Sequence, residues 1–224
     1  MQSIKTIYKI GPGPSSSHTF GPMMASKYIN EQYPEATNFK ITLFGSLALT
    51  GKGHLTDKII LKTLGTSKCE IIFDMKTPVE HPNTMIIEVF DKDTKIAEHT
   101  FVSIGGGKIE IDGKKGNVDP EIYPHTKMDD IQVYCNERHL RLDQYIDEVE
   151  DSDFDSYMNQ IFKQMLKTVN TGLKKTGVLP GSLKIDRVAH ALHQSAQSCS
   201  DIQDKNSLLL SSYAYAANEQ NASG

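Results

Sequence analysis

The sequence predicts an α+β protein, with an α/β sandwich domain over residues 1–147 followed by an all-helical segment over 148–224. Three observations predict it. Short apolar runs, alternating or continuous and bounded by glycine and proline, fill residues 40–111 and read as strands. From residue 127 onward the apolar residues recur at three- and four-residue spacing, the period of a helix packed on one face. The 224 residues are 38% apolar and 23% charged, which suits a packed core and not a disordered chain.

The elements follow in order. Residues 22–30 form a helix after a glycine- and serine-rich loop. Residues 40–44 alternate toward a strand. Residues 55–64 carry Leu55, Ile59, Ile60 and Leu64 on one helical face, and Gly65 is a stop signal. Residues 69–73 are a short apolar strand. Residues 85–90 and 94–104 flank Asp91-Lys92-Asp93 as a hairpin. Gly105-Gly106-Gly107 breaks the chain before a strand at 108–111, and residues 113–116 read as a turn. Helices are expected at 128–136 and 141–149. Six acids lie between Asp147 and Asp155, a solvated linker feeding a helix N-terminus, where acids suit the dipole. That long helix carries Phe154, Tyr157, Met158, Ile161, Phe162, Met165, Leu166, Val169 and Leu173 as a core stripe. After a turn at 177–181, two more helices are expected at 185–197 and 205–221.

Lys and Arg number 24 against 28 Asp and Glu, a net charge of -4, which argues against a general nucleic-acid binder. No apolar run reaches the roughly 18 residues of a membrane helix, and residues 1–10 lack the apolar core of a signal peptide. The cysteines Cys69, Cys135 and Cys199 stand 66 and 64 residues apart. So odd and scattered a set is no disulfide framework and points to a reducing, cytoplasmic setting. Nor does it show a C-x-x-C metal spacing.

The strongest local feature is Gly11-Pro-Gly-Pro-Ser-Ser-Ser-His18-Thr19, just ahead of the first helix. Glycines permit tight turns, and hydroxyls with backbone amides at a helix start make an anion site. The plainer reading is a serine-rich turn that caps the helix. A second feature, Phe44-Gly-Ser-Leu-Ala-Leu-Thr-Gly-Lys-Gly-His54, fails the P-loop template. Five residues separate Gly45 from Gly51, and Gly53 stands where Ser or Thr would bind magnesium. His54 sits before a helix whose dipole disfavours imidazolium, which suits a base; a surface histidine is the alternative. In Glu80-His81-Pro82-Asn83, the proline pushes His81 toward extended backbone, in a loop that could equally be polar surface. His190 and His193, three apart on a helix, have no third metal ligand in evidence and read as a solvated face. Asn218 and Asn221 share a helical face in the otherwise apolar last helix.

These segments, with Ser103-Ile-Gly-Gly-Gly107, Gly177-Val-Leu-Pro-Gly181 and Asn218-Glu219-Gln-Asn221-Ala222, stand together in an order that resembles the iron–sulfur-dependent L-serine dehydratases of single-chain bacterial type. The resemblance implies deamination of L-serine to pyruvate and ammonia in amino-acid catabolism, without pyridoxal phosphate. It implies a [4Fe–4S] cluster held by three cysteines, whose open iron acts as a Lewis acid on the substrate hydroxyl. It implies His54 as catalytic base, and Ser15, Ser16, Ser17, His18, Thr19, His81, Asn83, Asn218 and Asn221 as substrate-binding groups. The fold expected is the family's β domain over 1–147 with the opening helices of its α domain over 148–224. The family's cluster cysteines are expected beyond Gly224, so no metal-ligand role passes to Cys69, Cys135 or Cys199. The helical segment is therefore expected to be incomplete, and the chain alone to bind no cluster and to be inactive. The expected partners are L-serine and a second copy or a complementing α-domain polypeptide, with neither nucleic acid nor membrane. A rival reading is an amino-acid-binding regulatory module without catalysis. A phosphate-ester enzyme is disfavoured, because no Asp-rich magnesium site accompanies the loop.

Overall fold

The computed structural model describes residues 1–116, 119–181 and 183–223. Gly224, to which the sequence reading extends the helical segment, lies outside the described residues. Among the described residues there are six strands: β1 (Asn38–Phe44), β2 (Cys69–Asp74), β3 (Thr84–Asp91), β4 (Thr94–Gly105), β5 (Lys108–Ile111) and β6 (Lys114–Lys115). They form one sheet of order β2-β1-β3-β4-β5-β6. The helices are α1 (Gly21–Gln32), α2 (Gly45–Thr50), α3 (Thr56–Leu64), α4 (Met128–Glu137), α5 (Leu142–Val149), α6 (Phe154–Gly172), α7 (Ala189–Ser198) and α8 (Ile202–Asn221). The mixed sheet with its helices, followed by a helical segment, is the α+β class that the sequence predicts.

Alternation organises the sheet. Phe39, Ile41 and Leu43 of β1 and Met85, Ile87 and Val89 of β3 are all buried, as strands with one covered face require. The two strands pair antiparallel with Ile41 opposite Ile87, so their inward side chains meet on one face. Ala25 and Ile29 of α1 and Ile59, Ile60 and Leu64 of α3 join the same core. β1 and β2 run parallel, and a parallel pair needs a crossover; α2 and α3 supply it.

Two compact units are distinguished, Met1–Ile10 with Asn117–Met165 and Gly11–Gly116 with Leu166–Gly224. The first has its own small core of Tyr123, Ile131, Cys135 and Tyr145. Glu150, only 9% exposed, holds its N-terminal strand of chain. The carboxylate accepts from the Ser3 hydroxyl at 2.6 Å, the Ile4 amide at 2.8 Å and the Tyr123 hydroxyl at 2.7 Å. Burial works to raise the pKa of Glu150, but these three donors outweigh it and hold the group below the ordinary value. The second unit contains the sheet, α7 and α8.

Three local expectations are corrected. The stripe along α6 is not core throughout, since Ile161 is buried but Phe162, Met165 and Leu166 are exposed. The helix expected at 185–197 starts only at Ala189. Val178 bridges Asp186, the Leu179 amide donates to the Ile185 carbonyl, and the Arg187 amide donates to the Gly177 carbonyl. Residues 185–187 thus spend their backbone groups on the preceding turn. Residues 113–116 are not wholly turn, since Lys114 and Lys115 pair with Ile111 and Glu110. Among the described residues, no helix is long and apolar enough to cross a membrane.

Candidate functional site

The glycine- and serine-rich loop closes on itself. Ser15 is extended and caps a short helical turn, Ser16–Phe20, that runs into α1. Its hydroxyl accepts from the His18 amide at 3.1 Å, and its carbonyl accepts from the Thr19 and Phe20 amides at 3.0 Å. This is the serine cap that the residue types anticipate. The Ser15 and Ser17 hydroxyls stand 3.4 Å apart.

That turn delivers His18 to the crossover connection. Its Nδ1 lies 2.9 Å from the Ser17 hydroxyl and its Nε2 lies 2.8 Å from the Ser46 hydroxyl. Ser46 is held in turn, because its amide donates to the Pro82 carbonyl at 2.7 Å. Gly45 makes that approach possible. Its φ is +51°, and a Cβ there would lie 2.6 Å from the Pro82 oxygen, so only glycine fits without strain.

His18 and His54 face each other with ring centroids 4.7 Å apart. Two buried threonines fix their backbones. Thr19 donates to the His54 carbonyl at 2.7 Å, and Thr56 donates to the His18 carbonyl. Burial lowers the pKa of His18, and the nearby His54 lowers it further, against a hydrogen bond to Ser46 that acts the other way. His54 lies between the end of α2 and the start of α3. Its Nδ1 is 3.1 Å from the Thr50 carbonyl. A carbonyl can only accept, so Nδ1 carries the proton and Nε2 keeps a lone pair, the tautomer a base needs. His81 has the complementary tautomer, because its Nδ1 accepts the Asn83 amide at 3.1 Å, which leaves its Nε2 as donor.

Residues 3–72 match the family model described as serine dehydratase beta chain. That segment of the chain is thus similar to a serine dehydratase beta chain. The chain's similarity to L-serine dehydratases continues beyond that segment. It is 30% identical to L-serine dehydratase 2 of Escherichia coli (strain K12), over 100% of this chain and 61% of the relative. It is 31% identical to the L-serine dehydratase of Helicobacter pylori (strain J99), over 99% of this chain and 60% of the relative. It is 27% identical to that of Haemophilus influenzae (strain Rd), over 100% and 61% respectively. The chain thus spans about three-fifths of the length of these relatives.

Within the matched segment, Ser15, Ser17, His18, Thr19 and His54 form one hydrogen-bonded group. Ser16 is exposed at the start of the turn. His81 and Asn83 lie in the loop before β3, one residue either side of the Pro82 that holds Ser46. The Asn83 side chain donates to the Ser103 carbonyl at 3.3 Å. In the downstream helical segment, Asn221 donates to the Pro14 carbonyl at 3.4 Å. Asn218 is exposed one turn earlier on α8. Gly107 of the triple glycine lies against Phe20, where a Cβ would be 2.3 Å from the ring. The sequence motifs assign no separate role to Ser46, Thr50 or Thr56, which the structure places around His18 and His54. The partners of Ser46 and Thr56 are at distant sequence positions, which no local spacing signals, whereas Thr50 meets His54 only four residues on.

The described residues do not fit an iron–sulfur cluster. Among them no group of three or more His, Cys, Asp or Glu could hold a metal ion. Cys69 lies in β2, Cys135 in α4 and Cys199 just past α7, and burial pushes the Cys69 thiol up to about 11. A cluster ligand must be thiolate. His190 and His193 are half-buried, not solvated, and His190 donates to the Leu173 carbonyl at 2.8 Å.

Proposed function

We propose that this chain supplies the substrate loop and the proton-abstracting histidine of an L-serine dehydratase. The observation that carries this reading is the His18–His54 pair, set among the hydroxyls of Ser15, Ser17 and Ser46 with the His54 tautomer fixed. The names of the relatives agree with it. Residues 1–147 then correspond to the family's β domain and 148–224 to the opening helices of its α domain.

In this reading the serine carboxylate lies at the start of the Ser16–Phe20 turn, at the Ser16 and Ser17 amides, ahead of the three amides that Ser15 accepts. The hydroxyls of Ser15, Ser16 and Ser17 add donors there. His54 takes the Cα proton at Nε2, and the Thr50 carbonyl on Nδ1–H stabilises the imidazolium that forms. His18, held neutral, orients the substrate without placing a second positive charge beside His54. His81 offers an N–H donor from the far side of Pro82, with Asn83, Asn218 and Asn221 as further polar contacts. Thr19 acts through the His54 backbone. Loss of the proton and of the β-hydroxyl as water gives an aminoacrylate. Its imine form hydrolyses to pyruvate and ammonia. Hydroxyl departure needs an acid, which the family resemblance assigns to a [4Fe–4S] cluster that the described residues do not hold. Turnover therefore requires a cluster-bearing polypeptide or a longer chain, in a cytoplasmic setting and as a homodimer or complemented assembly.

Calorimetry tests the reading. L-serine is expected to bind, D-serine to bind about tenfold more weakly or worse, and His18→Ala to lose at least a similar factor. Absence of L-serine binding overturns the reading. Anaerobic reconstitution of the chain is expected to leave no stable cluster and no serine-dependent pyruvate; pyruvate formation would sink the requirement for a further polypeptide.

A further inference from the structure

Glu219 is an acid where acids are expensive. It is 4% exposed in the last turn of α8, and burying a carboxylate costs several kcal/mol unless it is paired. Its Oε1 accepts from the Val188 amide at 2.6 Å and the Ala189 amide at 3.1 Å, at the positive end of α7. Its Oε2 has no hydrogen-bond partner and lies 3.9 Å from Nη1 of Arg187, which also has none. The Arg187 side chain is 6% exposed. Its Nη2 donates to the Ser223 hydroxyl, and that hydroxyl donates to the Glu219 carbonyl at 2.6 Å. Arg187, Glu219 and Ser223 thus tie the end of α8 to the start of α7.

Asn221 sits between the two tied positions. Its Nδ2 donates to the Pro14 carbonyl. A Cβ at position 13 would lie 2.3 Å from both the carbonyl and the Oδ1 of Asn221, so the helix end bears directly on Gly13. The next residue after Pro14 is Ser15, the acceptor for the His18, Thr19 and Phe20 amides. A buried ion pair contributes little to stability compared with apolar residues of the same volume. Its value here is geometric.

We propose that the Arg187–Glu219 pair is a positioning device for the serine loop: it locks the last turn of α8 so that Asn221 holds Gly13 and Pro14, and through them the Ser15–His18 turn. Its bearing on substrate capture rests on the function proposed above.

Hydrogen exchange on the full 224-residue chain, without serine, tests this apart from the serine reading. Glu219→Gln keeps an acceptor for the Val188 and Ala189 amides and removes the charge facing Arg187. Asn221→Ala keeps the ion pair and removes the link to the loop. Both are expected to raise exchange at residues 15–20 about tenfold, with β1 and β3 unchanged. Both are expected to weaken L-serine binding, Asn221→Ala the more because it also removes a proposed substrate contact. Loop exchange in Asn221→Ala within about twofold of wild type overturns the proposal, as does Glu219→Gln that loosens only α7. If Glu219→Gln does not fold, Asn221→Ala decides alone. A wild-type chain that binds no L-serine overturns the serine reading, and the exchange comparison still judges the lock.

Discussion

His18 is the residue whose environment most changes its chemistry. Burial and His54 lower its pKa from 6.5, so the folded chain keeps it neutral where the unfolded chain begins to take up a proton. The unfolded state then binds more protons as pH falls from the ordinary value toward the lowered one, and stability is lost across that window. The melting temperature of wild type is therefore expected to drop more than that of His18→Asn between about pH 8 and about pH 5. An equal drop in both would show that His18 is not the titrating group. Thr56 is fully buried and its hydroxyl serves the His18 carbonyl. Thr56→Val keeps the shape and strands that carbonyl, at a cost of about 1–3 kcal/mol in urea unfolding.

At the scale of elements, the site depends on one tight joint between β1 and α2. Gly45 turns the chain with φ +51° and lets Pro82 close on Ser46. Gly45→Ala is expected to cost about 1–3 kcal/mol, read by denaturant melt, and to weaken L-serine binding with it. A variant of normal stability and affinity would mean that Ser46 reaches His18 by another route. Strands β1 to β5 were legible in the sequence because alternation is a local property, and β5 spans the Lys-Ile-Glu-Ile alternation of 108–111. The start of α7 was not, because Asp186 and Arg187 make backbone contacts with Val178 and Gly177, and such pairing overrides helical spacing.

At the scale of the molecule, each unit is held by its own core. In the larger one, Ile87 is fully buried at the centre of the sheet face. Ile87→Ala is expected to cost about 2–5 kcal/mol in urea unfolding, and a loss below about 1 kcal/mol would mean that this face is not the organising core. In the function proposed above, turnover needs a cluster, and Cys69, Cys135 and Cys199 stand apart in β2, in α4 and past α7. Iron analysis after anaerobic reconstitution reads that directly.

The sequence by itself determined the class of the fold, most element positions, and the resemblance that points to serine. Those are carried by periodicity and by short contiguous motifs. Only the tertiary structure decided which motif residues meet. His18 finds Ser46 and His54, Thr56 finds the His18 carbonyl, and Asn221 finds Gly13 and, across 207 positions, Pro14. It also decided the tautomer of His54, because a hydrogen bond to the Thr50 carbonyl fixes the proton on Nδ1. Side-chain chemistry is written in the residue type, but protonation and partnership are set by neighbours that a linear pattern does not name.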